Sequence, residues 1–333
     1  MRAPGFWSHP KPSLTARALA PVAMLYAAAT ARRVARKPDY RPRASVICVG
    51  NINAGGTGKT PTAIALASWL VERGRKPVIV SRGHGGNLAG PVAVDPNSHS
   101  AADVGDEPFL MAAFAPVVIS RNRADGARLA DDMGADVIVL DDGHQNPSVA
   151  KDLTFVVIDA AVGFGNGMVI PAGPLREPVH AGLARADAVL SIGNARAQAR
   201  FAESWGHAIA GPHLTAHLAT LKTGIPLRGL RALAFAGIGR PGKFFATLND
   251  EGVELLRTVP LGDHQPLTSA LMRRLAKEAE DLGAQLITTE KDAVRLPGDV
   301  RRKVITLPVR LSFDDPDALG RLLDPLLSGQ GAP

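Results

Sequence analysis

The sequence predicts an α/β protein: a P-loop NTPase-like, mostly parallel sheet flanked by helices, with a second, smaller α/β domain. Three observations predict it. From Ser45 onward, short β-branched runs alternate with helix-like stretches. The first run leads into a glycine-rich loop that ends Gly58-Lys59-Thr60. A second strand-and-helix series begins after residues 221–231 (LKTGIPLRGLR), a linker of glycine, proline and basic residues.

The elements follow in chain order. Residues 18–31 (ALAPVAMLYAAATA) form a weakly polar run bounded by Arg17 and by Arg32, Arg33, Arg36 and Lys37. The run is shorter than the ~20 apolar residues that cross a bilayer, and export would take the nucleotide motif away from ATP. Two readings stand: an interfacial amphipathic helix inserting Leu19, Val22, Leu25 and Tyr26 beside a basic cluster, or an ordinary packed helix. Strands are expected over residues 45–49, 77–81, 116–120, 137–140, 155–158 and 188–191, mostly continuous apolar runs suited to a sheet covered on both faces. Helices are expected over 60–73, 107–114 and 122–133, which makes the repeating unit βαβ. The second series has strands at 232–236 and 285–289 and helices at 243–249 and 268–281. Residues 303–311 read as one more strand returning toward the first domain, and the Gly/Pro tail reads as frayed.

Composition narrows the function classes. At 333 residues the chain suits about two domains of ~150 residues. Hydrophobic residues at 46% and charged residues at 21% are ordinary globular values and exclude disorder as an account of the chain. Aromatics at 5% are too few for base-stacking platforms, so no nucleic-acid partner is expected. The net charge of +7 favours anionic partners without choosing among them. Cys48 is alone, which excludes an intramolecular disulfide and a thiolate zinc cluster and fits a reducing compartment.

The loop carries the chemistry. In VICVGNINAGGTGKT (residues 46–60) a buried strand runs into a glycine-rich turn at the start of a helix. Gly55, Gly56 and Gly58 permit positive φ and close backbone approach, so successive N–H groups can cradle phosphate oxygens. Lys59 is placed for the β- and γ-phosphates and the Thr60 hydroxyl for Mg²⁺. The first glycine of the usual pattern is replaced by Asn53. An apolar strand ending in Asp141-Asp142 is the preferred metal-holding partner of such a loop, with Asp159, at the end of the next apolar run, as a rival.

A guanine reader is not supported, because Thr289-Glu290-Lys291-Asp292 has the wrong spacing. A dimeric partitioning-type ATPase needs a lysine before the paired glycines where this chain has Ala54, so a monomer is expected. Two classes remain: a kinase, or a soluble P-loop ATPase acting on a protein or small-molecule client. A kinase needs a group to accept the hydroxyl proton, and Asp106 in Gly105-Asp106-Glu107-Pro108 is a candidate, although a helix amino cap accounts for it equally well. His144 in DDGHQ and His264 in LGDHQP stand in polar, glycine-flanked strings open to structural or functional use.

Taken together and in order, VGNINAGGTGKTP, SRGHGG, VGDEP, LDDGHQN, PAGPLREP, GDHQP and TTEKDAVRL resemble the tetraacyldisaccharide 4′-kinase family, which phosphorylates the lipid A precursor of Gram-negative bacteria. That family also lacks the first loop glycine. It commonly has Tyr and Phe where this chain has His84 and His144. The resemblance implies ATP- and Mg²⁺-dependent transfer of the γ-phosphoryl to the 4′-hydroxyl of a tetraacyldisaccharide 1-phosphate. It implies Asp106, His264 and Lys59 as catalytic residues, Asn53, Ala54, Gly55, Gly56, Thr57, Gly58, Lys59 and Thr60 around the nucleotide, and Thr60, Asp141, Asp142 and Glu177 around the metal. It further implies a kinase domain over 41–225, a smaller closing domain over 226–308 and a return segment over 309–333. Residues 1–40 are then a membrane-associating helix on the cytoplasmic face of the inner membrane. Arg32, Arg33, Arg121 and Arg123 are candidate partners for anionic headgroups or the 1-phosphate.

Overall fold

A computed structural model describes residues 4–9, 11–263 and 265–328. Eight strands come first: β1 (Ser45–Gly50), β2 (Pro77–Ser81), β3 (Val92–Ala93), β4 (Val117–Ile119), β5 (Val137–Asp141), β6 (Leu153–Asp159), β7 (Ala188–Ile192) and β8 (His213–Thr220). Four more, β9 (Arg231–Ala236), β10 (Glu254–Pro260), β11 (Gln285–Thr289) and β12 (Val304–Leu307), make a separate parallel sheet in the order β10-β9-β11-β12. The chain then returns, and β13 (Val309–Phe313) closes the large sheet, ordered β13-β8-β7-β6-β1-β5-β2-β4-β3. Only its two edge pairs, β13 with β8 and β3 with β4, are antiparallel.

Burial explains the strand pattern. Val46 and Cys48 of β1 pack in one cluster with Val80, Ile138 and Leu140, whereas Ile47 and Val49 pack in another on the opposite face. Alternate side chains of one strand therefore meet different helices, and both parities must be apolar. On the first face, α6 (Arg123–Asp132) contributes Ala124, Ala127 and Ala130. On the second, α3 (Lys59–Val71) contributes Ala63, Leu66, Ala67 and Leu70, beside α13 (Pro316–Ser328) with Leu319, Leu323 and Leu327. Truncating one such leucine to alanine costs about 2–5 kcal/mol. The large sheet also carries the short helices α4 (Ala101–Val104), α5 (Asp106–Met111) and α7 (Val179–Leu183), and the longer α8 (Ala195–Trp205). The small sheet carries α9 (Pro241–Asp250), α10 (Ser269–Asp281), α11 (Glu290–Ala293) and α12 (Gly298–Arg301).

The amino terminus holds α1 (Leu14–Ala18) and α2 (Ala20–Val34). One face of α2 is packed: Ala23 is buried, and Leu19 and Ala27 rest on the cluster of Phe164 and Phe201. The other face exposes Val22, Met24, Leu25 and Tyr26, with Leu14 of α1 83% exposed. The packed-helix reading describes one face of this segment, and Leu19, expected among the inserting residues, belongs to that face. No described helix is long and apolar enough to cross a membrane.

Two further expectations are corrected. Residues 303–311 are two strands in different sheets, because Pro308 has no N–H for a ladder and the chain changes sheet there. Helix α13, which the sequence reading did not expect, runs through Ser328 with leucines at four-residue spacing that reach the core; the Gly/Pro tail expected to fray, residues 329–333, lies outside the described residues. Gly105, at φ 96°, precedes the first turn of α5, so Asp106 is its first helical residue and not its cap. The sequence reading also missed α8, β8 and β10; β10 is an edge strand with most of its side chains exposed or half-buried, so it has no continuous apolar run.

Candidate active site

β6, β1 and β5 lie side by side and in parallel, so their carboxyl ends open on one crevice, the usual place for a ligand in such a sheet. β1 delivers the glycine-rich loop there, β5 delivers Asp141 and β6 delivers Asp159. The loop is braced from two sides. Asn51 is buried and its Nδ2 donates to Thr57 Oγ1 at 3.0 Å. Ala54 N donates to Pro174 O at 2.6 Å and Arg176 N to Ile52 O at 2.7 Å, so the PAGPLREP string flanks the loop as an irregular strand. Asn53 is buried with its side-chain amide donating to Gly163 O at 3.0 Å, which leaves its backbone for a ligand. Gly55 and Gly56 are exposed. Gly58, at φ +100°, precedes Lys59 at the start of α3, and a Cβ there would come within 2.5 Å of Ile192 Cδ1. The first-turn N–H groups of α3 have no intrahelical partners, the arrangement that receives phosphate.

The two aspartates after β5 differ sharply. Asp141 is buried; its Oδ2 accepts from Ser81 Oγ at 2.9 Å, while its Oδ1 is buried without a hydrogen-bond partner. Burial, with Glu107 and Asp142 nearby, pushes its pKa up to about 6. Asp142 takes a left-handed φ of 51°, a conformation aspartate tolerates better than most residues. Its Oδ1 lies 2.9 Å from Arg176 Nη1 and 3.6 Å from Lys59 Nζ. Burial would raise the Asp142 pKa, but Lys59 and Arg176 outweigh it and hold the carboxyl below its ordinary value. Arg123, a candidate partner for a headgroup or the 1-phosphate, is buried, its guanidinium donating to Ser120 O at 2.9 Å and Asp141 O at 3.2 Å. It supports the carboxyl end of β5; Arg121 is exposed.

Glu177 is buried in a different circle. Gln145 Nε2 and Arg185 Nη2 each donate to it at 2.9 Å, and Gln145 Oε1 accepts from Arg176, which holds Asp142. The structure therefore connects Glu177 to the aspartates through Gln145 and Arg176. His144 lies under the same circle, its Nε2 3.0 Å from Gly182 O. Burial and the Arg185 charge press its pKa down to about 4, so it is neutral near pH 7.

Asp106 and Glu107 face the small sheet's TTEKDAVRL string. Arg295 Nε lies 3.3 Å from Asp106 Oδ2, and Lys291 Nζ lies 2.9 Å from Glu107 Oε1. Arg295 is itself gripped by buried Asp292. Gly105 lies so close to the SRGHGG turn that a Cβ would sit 2.5 Å from His84 O, which seats Asp106 against that turn. His264 lies outside the described residues. Between the sheets opens a cavity of about 310 Å³. Gly56–Thr60 and Glu107 line one side, and Ile238, Phe244 and Lys291 the other.

A family model for tetraacyldisaccharide-1-P 4′-kinase (LpxK) matches residues 15–328. The chain belongs to this family. It is 62% identical to a tetraacyldisaccharide 4′-kinase of Dinoroseobacter shibae over 329 residues, 98% of each chain. It is 56% identical to the tetraacyldisaccharide 4′-kinase of a Jannaschia species over 98% of this chain and 99% of that one. Among solved structures it resembles LpxK from Aquifex aeolicus in complex with ATP, with a TM-score of 0.75 at 25% identity, covering 94% of this chain and 99% of that one. The strings that carried the tetraacyldisaccharide 4′-kinase resemblance prove to be neighbours in space. Several of their residues escaped individual notice: Ser81, Gln145, Arg176 and Arg295 stand inside quoted strings, and that membership was their one signal.

Proposed function

We propose that this chain is an ATP-dependent tetraacyldisaccharide 4′-kinase that transfers the γ-phosphoryl group to the 4′-hydroxyl of a tetraacyldisaccharide 1-phosphate, giving the 1,4′-bisphosphate lipid A precursor. The observation that carries this reading is a glycine-rich loop and Lys59 lining the cavity between the sheets, with an unpartnered carboxylate oxygen on Asp141 at the end of the neighbouring strand and Asp106, beside the cavity-lining Glu107, held from the opposite sheet. The P-loop (53–60) receives the triphosphate through its N–H groups and the start of α3. Lys59 exchanges Asp142 for the phosphates and steadies the charge that grows on the transferring group. Asp106 accepts the 4′-hydroxyl proton as oxygen attacks phosphorus and ADP departs, with His264 as its expected aid.

The donor set fits Mg²⁺. Among the described residues no cluster of three or more His, Cys, Asp and Glu gathers to cage a metal, and Mg²⁺ is commonly held by one or two carboxylates with substrate phosphates and water. Thr60 and Asp141 are the residues that would hold it, Asp142 being committed to two cations and Glu177 to Gln145 and Arg185. When bound, the ion would neutralise charge on the phosphate oxygens. The division into a kinase unit over 41–225, a closing unit over 226–308 and a return segment belongs to the same reading, and the crevice between sheets supports it.

Membrane association is peripheral on this reading, at the cytoplasmic face of the inner membrane. Val22, Leu25 and Tyr26 form an exposed apolar stripe on α2, followed by exposed Arg32, Arg33, Arg36 and Lys37. Such a face enters the interface of an anionic bilayer, where the acyl chains of the acceptor reside. The test is transfer of labelled γ-phosphate to purified disaccharide lipid with and without Mg²⁺. Mg²⁺-dependent labelling is expected; ATP binding without any transfer would leave the soluble ATPase as the better reading.

A further inference from the structure

Asp159 is the carboxylate at the end of β6, one strand over from the phosphate loop, and the proposed chemistry gives it no task. Its neighbours are unusual. Oδ1 accepts from Ala161 N at 3.0 Å, which fixes the side chain on its own turn. Oδ2 accepts from two cations of the other sheet's unit: Lys243 Nζ at 2.6 Å, and Arg240 Nη1. Asp159 is 8% exposed at its side chain, whereas Arg240 and Lys243 are 40% and 46% exposed. All three line the cavity that the phosphate loop lines.

The charge arithmetic of this triad is uneven. Two positive charges meet one carboxylate, so the triad itself keeps one positive charge in excess. Both cations also sit at the start of α9, Arg240 just before its first turn and Lys243 within it, with no acidic residue there. Cations are disfavoured at the positive end of a helix, so the pair would splay toward water without a counter-charge. A buried carboxylate anchored by its own turn supplies that counter-charge, and it draws the small sheet's helix onto the carboxyl end of β6. We propose that Asp159 is a positioning residue for the nucleotide: it holds Arg240 and Lys243 in the cavity wall, where their surplus charge receives the phosphates of ATP opposite the loop. Asp159 itself touches no phosphate, since like charges repel. Its effect passes through the two cations, and with them through the closure of one sheet's unit on the other. This inference rests on the phosphate loop as the nucleotide site and is independent of the lipid acceptor.

The experiment measures affinities for ATP, ADP, AMP and adenosine by calorimetry on the full chain, for wild type and for Asp159→Asn, Lys243→Ala and Arg240→Ala. Loss of a charge-assisted contact of this kind is expected to weaken ATP binding about tenfold in each variant. The loss should shrink from ATP to ADP to AMP and vanish for adenosine. Asp159→Glu should restore part of it. A merely structural role would lower Tm and affect every ligand alike, which would overturn the proposal, as would unchanged or tighter ATP binding in Asp159→Asn. Lys243→Ala removes a half-exposed side chain, so the phosphate-number dependence remains readable even if the buried variant folds poorly. Lys59→Ala run alongside separates the two readings: if it too leaves ATP affinity unchanged, the phosphate-loop assignment fails first.

Discussion

Lys59 Nζ lies 3.6 Å from Asp142 Oδ1, joining the first residue of α3 to the end of β5 across the mouth of the phosphate loop. Arg176 approaches the same oxygen at 2.9 Å. Two cations on one carboxylate keep Asp142 ionised and hold Lys59 in place, while Asp141 beside it keeps an oxygen unengaged. The different roles proposed for the two aspartates rest on these contacts.

Lys59→Ala removes the charge that would follow the transferring phosphoryl group. A fall in kcat of about 10²–10³-fold is expected, read by steady-state transfer to the lipid acceptor at saturating ATP. Activity within a factor of two of wild type would contradict the assignment.

Asp106→Asn preserves shape and removes the carboxylate proposed to accept the proton. A drop in kcat of about 10²–10⁴-fold with little change in the KM for ATP is expected. A large rise in that KM at unchanged kcat would move Asp106 from the acceptor side to the nucleotide side.

His144→Phe tests a buried neutral imidazole. The folded pKa, about 4, lies below the ordinary 6.5, so the unfolded chain takes up the proton first. Stability from this group is full above about pH 6.5 and drains as pH falls toward 4. Replacing it with phenylalanine should remove that loss, on the order of 2 kcal/mol at pH 4.5, even though the contact with Gly182 O is given up. Thermal unfolding between pH 7.5 and 4.5 reads the difference; parallel curves for the two proteins would show that His144 is not the titrating group.

Val22→Glu with Leu25→Glu changes exposed side chains of α2. Sedimentation with anionic vesicles is expected to show binding reduced at least about tenfold, with Tm nearly unchanged because surface substitutions cost little. Ala23→Glu, on the packed face, should lower Tm outright.

Much of this architecture was legible in one dimension. Continuous apolar runs marked β1, β2, β5, β6 and β7 because both faces of a parallel strand are covered, and the run Gly55–Thr60 marked the phosphate loop because few residue types allow its backbone. Hydrophobic period reports which residues are buried; it is silent on what a polar side chain meets. Tertiary structure alone decided that Arg123 is buried under Asp141, that Leu19 faces inward, that Glu177 is tied to Arg185 and that Pro308 splits one expected strand between two sheets. It also brought Lys291 to Glu107, 184 positions away in sequence, and Arg295 to Asp106. Those pairs exist because the chain leaves the large sheet after β8 and re-enters it at β13, folding the small sheet's α11 end against α5. Local propensity determined the elements and the loop; the two crossings between sheets determined which charges meet.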